Sequence, residues 1–339
     1  MNGFAICRAR HLRVAVLFAG AALACAAASA QVLLSSPAEK QLAAERFLIV
    51  APFPPGGPID SLARILSEGL AKRYGQAAVV ENLPGAAGNI GIDKVKRARG
   101  DGHTLLVVPA GNLTINPTLM PKFPFDIARD FAPVTMLAMA PNVLVAYPGT
   151  GYKTAKDVIA AAKAKPDSLS FASPGVGSGL HLAGELFKQQ AGVDILHVPY
   201  KGTGPALTEV MGGTVPLMFS NLPGVLPQIK AGKLVAIGLT EAVRSPAAPD
   251  IPTLAEQGVP GVVVTSWYGL LVPATTPPEV VEQLARDAKE ILAQPAVRDS
   301  LKAQGLVEAT IKPAEFAAQI RTETATWARI INARNIKAE

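Results

Sequence analysis

The sequence predicts an α/β protein of two domains whose glycine-rich loops face a shared cleft. Three observations carry this. At 339 residues the chain is long for a single core, since domains commonly hold about 150 residues. Short, wholly apolar runs alternate with stretches of helical periodicity, the pattern of strands buried on both faces of a parallel sheet. Several of those runs end in Gly- and Pro-rich loops that open directly into a helix, and ligands of such sheets sit at the carboxyl ends of the strands.

The first thirty residues stand apart. Arg8, Arg10 and Arg13 precede an apolar run from Val14 to Ala27, and Ala28-Ser29-Ala30 offers small residues for cleavage. This is the layout of a secretory signal peptide, too short and alanine-rich for a membrane anchor. The mature chain is expected to begin near Gln31 and to reside in the periplasm. Cys25 opens a second reading, a lipid-attachment cysteine, although small Ala22 stands where a bulky aliphatic residue is wanted. Cys7 and Cys25 both lie in this segment, so the mature chain has no disulfide, thiol nucleophile or thiolate metal site. Losing three arginines lowers the formal charge from +6 to +3. With no basic block or aromatic interleaving, nucleic acid is not an expected partner.

Phe47 to Ala51 is an apolar strand, broken by Pro52, Pro54, Pro55, Gly56 and Gly57. Pro58 suits the first position of a helix, and Ile59, Leu62, Ala63, Leu66 and Leu70 recur at helical spacing until Gly75. Such a loop aims free backbone N–H groups and the positive end of a helix dipole at one point. Ala77 to Asn82 and a loop from Leu83 to Asn89 repeat the pattern, with a helix over Ile90 to Arg99 and a third strand over His103 to Val108. Ala110 to Asn116 then joins the same rim. Phe131 to Met139 is extended, and Asn142 to Tyr147 is a crossing strand into a second domain.

There the pattern restarts. A helix over Thr154 to Lys165 leads to a strand over Leu169 to Ala172. The loop Ser173-Pro174-Gly175-Val176-Gly177-Ser178-Gly179 feeds a helix over His181 to Ala191. Ile195 to Pro199 ends in Tyr200-Lys201-Gly202-Thr203, followed by a helix to Gly212. Val215 to Phe219 leads to Ser220-Asn221, Leu234 to Leu239 forms another strand, and the chain returns through Val262 to Val272. Pro278 to Ala293 and Pro313 to Asn335 are long helices. Domain 1 is thus expected at 31–141 and 268–339, and domain 2 at 142–267.

Eight segments, in order, carry a resemblance. They are Pro52-Phe53-Pro54-Pro55-Gly56-Gly57 with Asp60, Val80-Glu81-Asn82 with Pro84-Gly85-Ala86, Asp101-Gly102-His103, Ile115-Asn116-Pro117, Asp130-Phe131-Ala132-Pro133-Val134, Ser173 to Ser178, Val198-Pro199-Tyr200-Lys201-Gly202 and Ala231-Gly232-Lys233-Leu234. Together they resemble the Bug/TctC family, the periplasmic solute receptors of tripartite tricarboxylate transporters. The resemblance implies a type II periplasmic-binding-protein fold, two α/β domains with a ligand cleft between them and two crossing strands. It implies a monomer that closes on a small organic carboxylate and delivers it to membrane permease subunits, or one that senses the ligand without a permease. Ser173, Gly177, Ser178 and Thr203 would contact the ligand directly, with Phe53, Pro54, Gly56, Gly57 and Gly85 on the lid side. Tyr200 and Asn221 join the candidate set. Asn221 stands where an aspartate is the family's habit, which counts against an amino-acid ligand. Ala87 stands where a glycine is expected, and its methyl limits backbone approach.

The residues themselves agree. Glycine lets N–H groups reach a carboxylate, and serine and threonine hydroxyls add donors. Lys201 is either a cation for the ligand or a solvated side chain, and Asp60 is a dipole-favoured or capping residue. Trp267 either stacks on a ring-bearing ligand or fills the domain junction. As an enzyme, the chain would have to be a hydrolase using the Ser178/His181 region. The glycine–serine spacing fits neither a nucleophile elbow nor a dinucleotide fingerprint, and His181 with Glu185 lacks a third metal ligand. No catalytic residue, cofactor or metal is expected, and His103, His181 and His197 read as structural.

Overall fold

The computed structural model describes residues 36–166, 168–334 and 336–337; the signal segment and both cysteines lie outside them. After a short helix α1 (Pro37–Leu42), strand β1 (Phe47–Ala51) leads through the proline-glycine loop into α2 (Pro58–Tyr74), which stops at Gly75 in the left-handed conformation. Then come β2 (Ala78–Asn82), α3 (Asn89–Lys96), β3 (Thr104–Pro109) and three short helices, α4 (Ala110–Thr114), α5 (Asn116–Leu119) and α6 (Ile127–Asp130). β4 (Phe131–Ala140) runs to Pro141, where the chain crosses.

The second domain comprises β5 (Asn142–Ala146), α7 (Ala155–Ala164), β6 (Ser170–Ser173), α8 (Gly179–Ala191), β7 (Leu196–Pro199), α9 (Thr203–Met211), β8 (Leu217–Asn221), α10 (Leu222–Lys230) and β9 (Val235–Leu239). β10 (Ser266–Pro273) returns to the first sheet. α11 (Pro278–Leu292), α12 (Pro295–Ala303), β11 (Val307–Glu308) and α13 (Pro313–Arg334) follow.

Both sheets are mixed. The first has the order β11-β4-β10-β3-β1-β2, with β1, β2 and β3 parallel and β10 antiparallel to β3 and β4. The second has the order β7-β6-β8-β5-β9, with β6, β7 and β8 parallel and the crossing strand β5 antiparallel to β8 and β9. Strand order switches on either side of β1 and of β6, so the loops after β1, β3, β6 and β8 face the cleft, where ligands of such sheets bind. The antiparallel strands come from the two crossings, a feature that alternation alone does not encode.

Each sheet is covered on both faces. β10 shows this at period two: Tyr268, Leu270 and Val272 pack with Leu62, Leu66 and Val280, while Trp267 and Leu271 pack with Ile92, Val108 and Phe316. α13 departs from a one-domain assignment. Its stripe Phe316, Ile320, Trp327, Ile331 repeats about every four residues; the first two belong to the first domain's core, and the last two join Leu144, Phe171 and Phe219 in the second. Ile115 and Leu119, on and beside α5, also join the second domain's core.

Candidate functional site

The two rims meet at their loops. A Cβ on Gly111 would lie 2.7 Å from the Gly177 carbonyl oxygen, and one on Gly177 would lie 2.5 Å from Asn116 Oδ1. Glycine at both positions therefore lets the first domain's α4–α5 segment touch the second domain's loop backbone to backbone.

On the lid side, the Gly56 N–H donates to Asp60 Oδ2 at 3.1 Å, and Arg64 holds the same oxygen at 3.0 Å. Burial alone would raise the Asp60 pKa, but these bonds and Arg64 bring it below the ordinary value. Asp60 thus ties the proline-glycine loop to its own helix. The Phe53 carbonyl accepts from Asn82 Nδ2 at 3.2 Å, and its ring lies beside Gly88, linking the two lid loops. Pro54, Gly56 and Gly85 are exposed, Gly57 half-buried. Ala86 and Ala87 both adopt positive φ, 48° and 54°, flanked by Gly85 at 129° and Gly88 at 92°. This is strained backbone for alanine. Asn112, buried on α4, donates from Nδ2 to the Ala87 carbonyl at 2.7 Å and holds the turn.

On the opposite side, Ser178 is the N-cap of α8. Its Oγ accepts from the His181 N–H at 3.1 Å and donates to the Gly175 carbonyl at 2.7 Å. The Gly177 N–H donates to His181 Nδ1 at 3.3 Å, so that nitrogen carries no proton. His181 stacks on His197 with ring centroids 4.0 Å apart, and His197 stacks on Phe171 at 4.9 Å. Burial pulls the His181 pKa down to about 4 and that of His197 to about 3, so both rings are neutral at pH 7.

Two sequence-derived contacts are placed elsewhere. Ser173 is fully buried; its Oγ lies 2.7 Å from His197 Nε2 and accepts from the Gly175 N–H at 3.2 Å. It shapes the loop from behind instead of facing the cleft, because the loop's reversal turns its side chain inward. Trp267 is enclosed in the first domain's core, edge-on to Phe316, and its indole N–H donates to Glu323 at 2.8 Å. The ring thus neither stacks on a ligand nor fills the domain junction: its strand has already rejoined the first sheet at Ser266, and it packs within that domain. The hydrolase geometry is also not assembled. Ser178 Oγ meets the His181 backbone and not its ring, and the serine that does meet a histidine ring, Ser173, is itself fully buried.

What remains open is a set of donors. α9 begins at Thr203 and α10 at Leu222, and in the first domain α2 begins at Pro58; none has a side-chain cap. Thr203 Cγ2 lies 3.8 Å from the Cβ position of Gly224, so the first turns of α9 and α10 converge. Thr203, Tyr200 and Asn221 are half-buried there, and Lys201 is exposed. First-turn N–H groups and the Thr203 hydroxyl can hold an anion without a cationic side chain. Among the described residues no cluster of His, Cys, Asp and Glu could hold a metal ion.

Residues 62–336 match the profile of the tripartite tricarboxylate transporter family receptor. The chain belongs to this receptor family. It is 36% identical over 290 residues to Protein BugT of Bordetella pertussis, covering 85% of this chain and 89% of that one. Among solved structures it is similar to Rpa4515 of R. palustris with adipate, at 32% identity and a TM-score of 0.80, covering 87% and 98% of the two chains. It is equally similar in sequence, 32%, to MatC of Rhodopseudomonas palustris with bound malate, at a TM-score of 0.76, covering 85% and 99%. The receptor therefore has the fold of periplasmic solute-binding proteins, and no helix among its described residues is long and apolar enough to cross a membrane.

Sequence reading gave no site role to Asn112 or Asn142, and quoted Asn116 only within a motif and as the end of a rim segment. Asn112 and Asn116 lie in two successive helices of five and four residues, too short to show periodicity.

Proposed function

We propose that this receptor captures a small organic carboxylate in the periplasm, closes its two domains on it, and hands it to the membrane permease of a tripartite tricarboxylate transporter. The observation that carries the reading is the convergence of the α9 and α10 N-termini, both without side-chain caps. The Leu222 N–H already donates to the Pro141 carbonyl and Pro223 has none, so α10 offers the Gly224 N–H; with the Thr203 and Gly204 N–H groups of α9 and the two helix dipoles it favours a negative group between them. The adipate and malate bound by two relatives are small carboxylates of this kind. Two crossing segments, at Pro141 and Ser266, supply the hinge that such closure uses.

The test is a thermal-shift screen of protein refolded to remove co-purified ligand, against mono-, di- and tricarboxylates and amino acids. A ligand at about 100 times its dissociation constant adds about 2.7 kcal/mol, a shift of several degrees. Thr203→Ala is expected to weaken the hit by about threefold to tenfold, the worth of one hydrogen bond. A panel without a single shift would overturn the carboxylate assignment. Permease delivery is tested by uptake of the radiolabelled hit into vesicles carrying the permease, which is expected only when the receptor is added.

A further inference from the structure

Asn221 closes β8 beside the parallel strands β6 and β7, so it stands on the same rim as the loops after Ser173 and Pro199. It pairs across the strands with Asn142, the first residue after the crossing. Their amides form a chain whose orientation is set from one end. The Val264 carbonyl can only accept, so the Asn142 group 2.7 Å from it is the NH2. The other arm of Asn142 is then its oxygen, which accepts from Ser266 Oγ at 2.9 Å and from Asn221 Nδ2 at 2.7 Å. Asn221 therefore commits its donor inward and turns its Oδ1 outward from a half-buried position, with no partner among the described residues.

That oxygen is an acceptor beside the donors of the α9 and α10 first turns. A carboxylate satisfies the helix N-termini and Thr203 but has nothing to offer an acceptor. A ligand hydroxyl or ammonium does. An ammonium leaving water needs an anionic partner; Glu241 already accepts from the Asn142 N–H at 3.0 Å and from the Thr265 hydroxyl, and on the lid side the Asp60 charge is matched by Arg64. We propose that Asn221 selects a hydroxyl on the ligand, making the substrate class a hydroxycarboxylate in preference to a plain or amino carboxylate. This rests on the carboxylate-receptor reading above. It also places the ligand one hydrogen bond from Asn142, which touches both crossing segments.

The test is calorimetric titration of ligand-free protein with matched acids: malate, succinate and aspartate; 2-hydroxyglutarate, glutarate and glutamate; lactate, propionate and alanine. The hydroxy acid of the best-binding set is expected to bind about tenfold tighter than its two partners, the worth of one well-made hydrogen bond. Asn221→Ala is expected to collapse that ratio toward one. Asn221→Asp, which keeps the acceptor and adds charge, is expected to move the preference to the amino acid; both variants are checked by melting temperature. Equal binding of hydroxy and plain acids, or a ratio that survives in Asn221→Ala, overturns the proposal while leaving the carboxylate receptor standing. Failure of every acid to bind overturns both.

Discussion

His181 and His197 titrate against the usual direction for histidine. Their pKa values in the folded protein, about 4 and about 3, lie below the ordinary 6.5. Between those values the unfolded chain binds more protons, so their contribution to stability is complete above about pH 6.5 and falls as pH drops toward 4 and 3. The melting temperature should show this acid limb. His181→Asn, whose amide oxygen can replace Nδ1 as acceptor for the Gly177 N–H, should flatten it. Backbone conformation makes a second residue-scale prediction. Ala→Gly ordinarily costs about 0.5–1 kcal/mol, but relief of a left-handed alanine returns about 1–2 kcal/mol. Ala87→Gly should therefore be neutral or stabilising in a urea titration. Gly177→Ala should destabilise by at least about 1–2 kcal/mol, since it adds a Cβ at φ 78° and 2.5 Å from Asn116 Oδ1. The family resemblance marked Ala87 as a departure from glycine, and the sequence itself marked the glycines of the rim as sites of close approach. It did not show what they approach: the Gly111–Gly177 contact joins residues far apart in the chain.

Helix boundaries follow from local chemistry and were largely readable. Thr154 caps α7 through a box with Asp157, each side chain bonding the other's backbone. Thr154→Ala should cost about 1 kcal/mol, measurable by chemical denaturation, with little change in ligand affinity because α7 starts away from the cleft loops. α10 was not readable as a helix, since Pro223, Gly224 and Pro227 interrupt its pattern. Pro223 is tolerated because the first turn has no intrahelical N–H bond to lose. The cost of missing α10 was to leave Asn221 as the end of a strand when it is also the entry to a helix. α4 and α5, of five and four residues, are held by burial of Leu113, Ile115 and Leu119, and no periodicity window finds them.

The two domains share more than their crossing segments. Trp327 reaches the second domain's core from a helix rooted in the first, so Trp327→Ala should cost about 3–5 kcal/mol. Calorimetry should also show the two domains unfolding less cooperatively, because the tie between their cores is lost. Midway along the same helix, Glu323 accepts from Trp267, and burial holds its pKa above the ordinary 4.5. The folded protein binds that proton more tightly, so this contribution is present at low pH and is lost as pH rises past 4.5. Glu323→Gln keeps an acceptor for the indole, and its melting temperature should match or exceed the parent's at pH 7, with the difference vanishing near pH 4. The two-domain plan was legible in the chain, but the sharing of α13 between cores was not, since its stripe states which face is buried and not against what.

α13 also sets an order of events for a chain that emerges from its N-terminus. The second domain's strands are contiguous in sequence and can assemble once residue 239 is out, whereas the first sheet must wait for β10 to enter between β3 and β4. Trp327 and Ile331 arrive last of all. Until they do, the second domain's core lacks part of its cover. A nascent chain truncated before α13 would thus present two half-built walls without the helix that joins their cores.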